Sequence, residues 1–399
     1  MSERPPTARI ASIDAYRGFV MLLMLAEVLH LRQMAENFPD SPFWRFLAHH
    51  QSHVQWAGCS LHDLIQPSFS FLVGVALPFS LASRLGRGQR VGWMTLHAAW
   101  RALLLIWLGI FLRSVGKPQT NVTFEDTLTQ IGLGYVPLFV LGLVADRRRW
   151  VVWLTLVAIL AGYWAAFALY PLPGSEFDHA AVGVPQKWHG EHDYEGFAAH
   201  WNKNTNLAWA FDTWFLNLFP RAKPFAFNGG GYATLSFLPT LGTMILGLLA
   251  GCWLREDGRS WRSVGRLVGV GAICMALGVA ADHFGVCPSV KRIWTPAWTL
   301  YSGGWCFFLL AGFYAVMDMA GFQMWAYPLL VIGRNSIAAY MIAHLTEDFI
   351  RSTFAIHLGS DIFQYWGLKY EPVVSGAAVL LAYWLILFWM DRRRIFIRL

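Results

Sequence analysis

Apolar segments of about 18 or more residues recur from one end of this sequence to the other, each long enough to cross a hydrocarbon core of about 30 Å. Ten are read, at about 18–35, 62–83, 92–112, 128–145, 151–170, 234–254, 266–285, 298–317, 326–345 and 373–391. Inside lipid every backbone polar group has to be satisfied within the protein, so spans of this kind fold as helices. The expected fold is all-α, a polytopic transmembrane helix bundle of about ten spans. Composition agrees, since 56% of the 399 residues are hydrophobic and 14% charged, too apolar a balance for an ordinary soluble enzyme.

An even number of spans leaves both termini on one side, and basic residues indicate which. The segments 1–17, 84–91, 146–150, 255–266, 319–325 and 392–399 hold 17 Lys and Arg in 57 residues, whereas 31–58, 113–127, 171–232, 286–297 and 346–372 hold 12 in 144. The positive-inside rule then places N and C termini in the cytoplasm, with Arg147-Arg148-Arg149 and Arg392-Arg393-Arg394 as anchors. The net charge of +7 reflects this topology and contact with an anionic lipid bilayer, and implies no nucleic-acid partner. No basic, apolar, cleavable signal pattern precedes the first span, which is expected to serve as its own insertion signal. The cysteines Cys59, Cys252, Cys274, Cys287 and Cys306 lack paired spacing and read as free packing thiols; a Cys59–Cys287 disulfide is the one pairing considered across the far face. Asn121-Val122-Thr123 is a glycosylation sequon without meaning in a bacterium, the source that the minimal loops favour.

Nothing divides the chain, so 1–399 is treated as a single membrane domain with one long non-cytoplasmic loop at about 171–232. That loop opens on Pro171-Leu172-Pro173-Gly174, closes on Asn228-Gly229-Gly230-Gly231, and contains His179, His189, His192, His200, Trp188, Tyr194, Trp201, Trp209 and Trp214. Loops of this length are usually functional or disordered, and the aromatic content argues against disorder. All 13 histidines fall in spans or on the far side. Proton chemistry at the outer half of the membrane and a plain preference of histidine for the interface both account for that skew.

Ionisable groups inside spans are costly, so each is a candidate for function. Asp63, Gln66 and Ser70 recur at i, i+3 and i+7 and are expected to share a helical face that looks into the bundle or a cavity. Glu27 and His30 are expected to share a face near the outer end of the first span, and Arg101, Arg334 and His344 complete the set. Before the second span, the segment 49–56 (H-H-Q-S-H-V-Q-W) supports several readings. His49 and His53 have the i, i+4 spacing of metal ligands, but no acidic residue occupies the zinc-protease position between them, and the expected metal complement is none. A single histidine near a membrane acid also suits a general base or an acyl-accepting nucleophile, and interfacial packing is the bland alternative. No nucleophile elbow, P-loop or dinucleotide fingerprint occurs; after Gly86-Arg87-Gly88 the third glycine position is Val91.

Several segments together resemble the transmembrane heparan-α-glucosaminide N-acetyltransferase family and its bacterial relatives. R-I-A-S-I-D-A-Y-R-G-F (9–19) is similar to the family's R-x-x-S-x-D-x-x-R-G start. H-V-Q-W-A-G-C-S-L-H-D-L-I-Q-P-S-F-S-F-L-V-G (53–74), the most specific match, resembles H-x-x-W-x-G-x-x-x-x-D-L-x-x-P-x-F-x-F-x-x-G. T-Q-I-G-L-G-Y (129–135), N-L-A-W-A-F-D (206–212), A-T-L-S-F-L-P-T-L-G-T-M-I-L-G-L-L-A-G (233–251) and I-G-R-N-S-I-A-A-Y (332–340) follow in the family's order.

The resemblance implies an acyltransferase that takes acetyl groups from cytoplasmic acetyl-CoA and places them on an amino sugar or glycan beyond the membrane. It implies His53 as the catalytic histidine, either general base or transient acyl carrier, with Asp63 beside it. Asn335 and Ser336 match polar family positions, and with Glu27, His30, Trp56, Gln66, Asn206, Asp212 and His344 they form the expected acceptor-side set. Asp14, Arg17 and Arg101 form the expected donor side, where Arg17 meets CoA phosphates or simply pairs with Asp14 at i, i+3. The family's asparagine in the first matching span has no counterpart in Ala26-Glu27-Val28, so Glu27 or His30 would substitute for it. Its Q-R-I-G-L reads Thr129-Gln130-Ile131-Gly132-Leu133 here, which would alter donor binding. The large soluble domain of the animal enzymes is not expected, so lysosomal heparan sulfate is not the inferred acceptor. The expected setting is a bacterial inner membrane, and the sequence is compatible with a homodimer. Two other classes are weighed: a proton-coupled transporter or flippase using Asp63, Glu27 and His344, for which no internal repeat is found, and a polysaccharide O-acyltransferase, whose usual signals lack the W-x-G and D-L-x-x-P patterns.

Overall fold

The computed structural model describes residues 10–397. Arg9, which begins the first matching motif, and the extreme termini whose cytoplasmic placement the sequence suggests lie outside the described residues. The described chain is all-helical apart from turns and one isolated bridge, Ala57 to Val290. In order, the helices are α1 (Ala11–Leu25), α2 (Leu31–Asn37), α3 (Pro42–His50), α4 (Ile65–Gly86), α5 (Val91–Ser114), α6 (Thr127–Ala145) and α7 (Arg149–Ala168). There follow α8 (Gln186–His192), α9 (Leu207–Phe215), α10 (Phe237–Asp257), α11 (Trp261–His283), α12 (Pro296–Tyr314), α13 (Tyr327–Arg334), α14 (Ser336–Leu358) and α15 (Glu371–Arg392).

Eight helical stretches among the described residues are long and apolar enough to cross a bilayer, and two bent pairs bring the number to ten if each pair makes one crossing. The protein is a multi-pass membrane protein. Its first crossing begins at Ala11, earlier than the apolar run alone suggests, and breaks at His30, whose left-handed φ of 47° turns α2 by 43°. The ninth bends by 70° at Asn335, between α13 and α14. The two faces differ in content. At one, called here the basic end, are the α4–α5, α6–α7 and α10–α11 turns and the end of α15; at the other, the loop end, are 51–61, 115–126, 169–233 and 284–295.

At the centre of the bundle runs α10, with 83% of its apolar stretch buried, against 22% for α7 and for α11, whose tryptophans and aliphatics face outward. Helices in lipid gain nothing from hydrophobic exclusion of one another, so they associate through close packing at small residues. Gly247 of α10 lies so near α4 that an added Cβ would fall 1.9 Å from the Phe71 carbonyl oxygen, and one on Gly74 would fall 1.9 Å from that of Met244. The two backbones touch, which fixes the depth of α4 and therefore of every residue at its loop end.

Replacing Gly247 by Ala therefore forces α4 and α10 apart and should cost about 3 kcal/mol, seen as a lowered thermal midpoint in detergent. Gly229→Ala, where a Cβ meets nothing within 4 Å, is the control and should leave the midpoint unchanged.

Candidate active site

Asp63 does not begin the α4 helix but sits in the 3-10 turn His62–Leu64 ahead of it. A carboxylate this buried, 1% exposed, needs donors on both oxygens. Its Oδ2 accepts from the Val54 and Ser60 amides at 3.2 and 3.1 Å and from the Ser60 hydroxyl at 3.0 Å. Its Oδ1 lies 2.8 Å from His53 Nδ1 and 3.0 Å from Lys291 Nζ. The loop 51–61 is thereby wrapped around one carboxylate. It is held from outside as well: Arg292 donates to the Val54 and Gly230 carbonyls, and the Gly58 amide donates to Ser289.

His53 Nδ1 also lies 3.1 Å from Lys291 Nζ; because the carboxylate at 2.8 Å can only accept, Nδ1–H is assigned to Asp63, which leaves Nε2 as the free nitrogen of a side chain that is 40% exposed. A histidine fixed in this tautomer by a carboxylate offers a free lone pair to a reacting group. Burial lowers the affinity of the ring for a proton, the hydrogen bond to Asp63 opposes this, and the Lys291 cation reinforces it, with a net displacement below the ordinary histidine value. The ring is thus neutral near pH 7 and competent to accept a proton.

The surrounding candidates separate into three groups. Glu27 accepts from His62 Nε2 at 3.0 Å, and His62 lies against His53 with ring centroids 4.5 Å apart, so Glu27 is linked to the site through one imidazole. Trp56 is buried and donates to the Trp201 carbonyl, forming a wall beneath the long loop. Gln66 stands half-buried in the first turn of α4.

Others have structural partners. His30 does not share a face with Glu27: the 3-10 turn Ala26–Leu29 and the bend send His30 to Glu347 and Arg351. His344 bonds the Tyr340 carbonyl and stacks on that ring. Asn206 caps α9 by accepting from Trp209 N. Asp212 accepts from Thr234 N at 2.9 Å, its other oxygen is buried without a partner, and burial raises its carboxyl to about 6. Asn335 is fully buried and ties the bend to the Ile395 carbonyl and Ile397 amide, far from His53. It belongs to the basic half rather than to an acceptor site. His49 meets His50 edge-on and joins no ligand cluster with His53 among the described residues, and all five cysteines are free.

A cavity of about 530 Å³ lies among α1, α4, α5, α6, α13 and α14 and runs from Arg84 and Ile397 at the basic end toward Thr127 and Leu128 at the start of α6. It is lined along α4 by Phe69, Val73, Ala76, Leu77, Ser80 and Arg84, a stripe whose ends are 15 residues apart, or roughly 22 Å at 1.5 Å per residue. The polar face expected from Asp63, Gln66 and Ser70 is not this stripe. The 3-10 turn takes Asp63 out of phase with α4, and Ser70 is buried with its hydroxyl unpartnered among the described residues. Arg17, Arg84, Arg101 and Arg334 give the cavity its cationic character, and Ser336 contributes a hydroxyl at the bend. Arg17 also pairs with Asp14 at 3.1 Å, and Arg334 with Asp391 at 3.1 Å. Arg101 donates to the Tyr135 hydroxyl and lies 4.8 Å from the centre of that ring, while its buried Nε has no partner among the described residues. An orphaned guanidinium donor in such a cavity fits an anionic ligand such as a phosphate.

Heparan-alpha-glucosaminide N-acetyltransferase from Homo sapiens is 25% identical to this chain over 422 residues, covering 96% of it. The enzyme of that name from Mus musculus is 23% identical over 427 residues, covering 97%. The chain is thus similar to these N-acetyltransferases along nearly its whole length. It spans 59% of the human relative and 61% of the mouse one. No family model matches it. Lys291, with His62 and Arg84, is not among the residues that the sequence singles out. Its signal was faint but present: a Lys291-Arg292 pair in a short loop on the side otherwise poor in basic residues.

Lys291 is 5% exposed, so removing its partner leaves an ammonium buried without compensation. Asp63→Ala should destabilise the protein by about 3–5 kcal/mol in a detergent unfolding assay, and the Asp63→Asn, Lys291→Met double variant should recover part of that loss.

Proposed function

We propose that this chain transfers an acetyl group from acetyl-CoA, held in the cationic cavity, to the amine of a sugar or glycan that meets His53 at the loop end. The observation that carries the reading is the His53–Asp63–Lys291 cluster, mounted at one end of the helix whose other end lines the arginine-rich cavity. The curated relatives are named as N-acetyltransferases, which supports an amine rather than a hydroxyl or a transported solute as the acceptor.

His53 acts as the general base. Its Nε2 takes a proton from the acceptor amine as the nitrogen attacks the thioester carbonyl; the carbon–sulfur bond breaks, and the proton is available to the departing thiolate. Asp63 keeps Nδ1–H in place and stabilises the imidazolium that forms, while Lys291 balances the carboxylate at rest. Arg17, Arg84 and Arg101 hold the donor's phosphates, with Arg101 Nε a ready donor. Glu27, through His62, and Trp56 border the acceptor side. The density of basic residues supports a cytoplasmic basic end, where acetyl-CoA is made, and a bacterial inner membrane is the setting proposed.

With purified protein, labelled acetyl-CoA and a panel of amino sugars, His53→Ala should lower turnover about 100- to 10,000-fold. Undiminished product in that variant would remove the assignment, and a trapped acetyl-His53 adduct would replace the base by a covalent carrier. Protonated His53 is inactive as a base, so kcat/KM should fall as pH drops through a pKa below the ordinary histidine value. Lys291→Met removes one downward influence, and its acid limb should move to higher pH.

Arg101→Ala should raise KM for acetyl-CoA roughly tenfold or more, with a smaller effect on KM for the sugar, measured in the same assay. Equal effects on both would place Arg101 outside the donor site.

A further inference from the structure

Three side chains of the long loop come together away from the His53 cluster. His179 precedes a 3-10 turn, His189 lies on α8, and Asp193 follows that helix one turn after His189. One ligand-capable atom from each falls within 4.8 Å of the other two. His189 Nδ1 is 2.5 Å from Asp193 Oδ2, and the His179 and His189 ring centroids are 4.9 Å apart.

We propose that His179, His189 and Asp193 bind one divalent transition-metal ion, zinc being the best match. Two imidazoles and a carboxylate form a borderline donor set suited to zinc and its neighbours, whereas calcium and magnesium take oxygen ligands. Metal–ligand bonds of about 2.0–2.2 Å hold the donor atoms of a tetrahedral site roughly 3.3 Å apart, so the widest separation of up to 4.8 Å has to close by at most about 1.5 Å while the 2.5 Å His189–Asp193 contact opens to admit the ion. The fourth position is left for water.

A second observation points to a ligand. The Asp193 side chain is 6% exposed, yet its Oδ1 has no hydrogen-bond partner among the described residues, and the buried Nδ1 of His179 has none among them either. Leaving such groups dry and unpaired is costly, and a cation between them removes that cost. The nearby cation Lys203 does not serve Asp193 Oδ1; its ammonium stands 4.0 Å over the Trp188 ring.

The site would clamp α8 to the segment before it. Trp188 of α8 packs edge-on against Trp56 at 6.1 Å, three residues along the chain from His53. Metal binding thus fixes the aromatic cover over the loop that carries His53; this consequence rests on the reading of His53 given above, whereas the metal site itself does not.

The test uses the full chain, purified in detergent through a tag without histidines, stripped with a chelator and reloaded with zinc. Metal content after desalting should reach one equivalent in the wild type and remain near zero in His189→Ala and Asp193→Asn, with affinity at least about 100-fold weaker in either variant. His192→Ala, outside the cluster, should keep the metal. Cobalt should give the visible bands of a tetrahedral nitrogen–oxygen site. Comparison of stripped and loaded wild type needs no variant: zinc should protect 178–195 from hydrogen exchange. A wild type that retains no more zinc than His189→Ala, or shows no protection on loading, overturns the proposal, whether or not acetyl transfer is detected.

Discussion

A carboxylate withdrawn from water has to be surrounded by donors, and Asp63 draws them from three directions: the turn before it, the loop carrying His53, and the segment between α11 and α12. Coulombic attraction is strong in so dry a place, but so is the cost of leaving either charge alone, and the geometry has to be met by all partners at once. That requirement organises the loop end of the bundle. It sets the tautomer of His53, anchors Lys291, and through Arg292 and the Gly58 amide binds the two loops into one surface.

The depth of this cluster depends in turn on helix contact. Glycines on both α4 and α10 allow their backbones to meet, and α4 runs unbroken from the His53 cluster to the arginines of the basic half. One helix therefore relates a proton-accepting group at one face to a cation-lined cavity reaching toward the other. The proposed transfer would need this separation together with a fixed register between the parts, and α4, continuous from Ile65 to Gly86, supplies both.

The number and nature of the helices were legible because lipid permits little else: apolar stretches of sufficient length must satisfy their own backbones. His53 and Asp63 were singled out by the resemblance of 53–74 to a family motif, whereas spacing alone left a metal ligand, a base and interfacial packing all open. Less legible was anything that depended on local helix phase. The i, i+3, i+7 argument joined Asp63 to Ser70, but a 3-10 turn of three residues rotates Asp63 toward His53. Likewise the 3-10 turn and left-handed His30 separate Glu27 from His30, and Asn335, read as a site residue, spends both ends of its amide on the backbone near Ile395.

The sequence by itself determined an all-helical membrane bundle and the uneven distribution of basic residues, and it marked His53 and Asp63 as candidates, because hydropathy, charge and motif spacing are properties of neighbours along the chain. Only the tertiary structure decided that Lys291, 228 residues from Asp63, completes the cluster, that Arg17, Arg84, Arg101 and Arg334 face one cavity, and that His179 meets His189 and Asp193. Those partners are selected by how helices and loops pack across the bundle. A buried charge is satisfied by whichever donor the packing brings near, and no local pattern records which one that is.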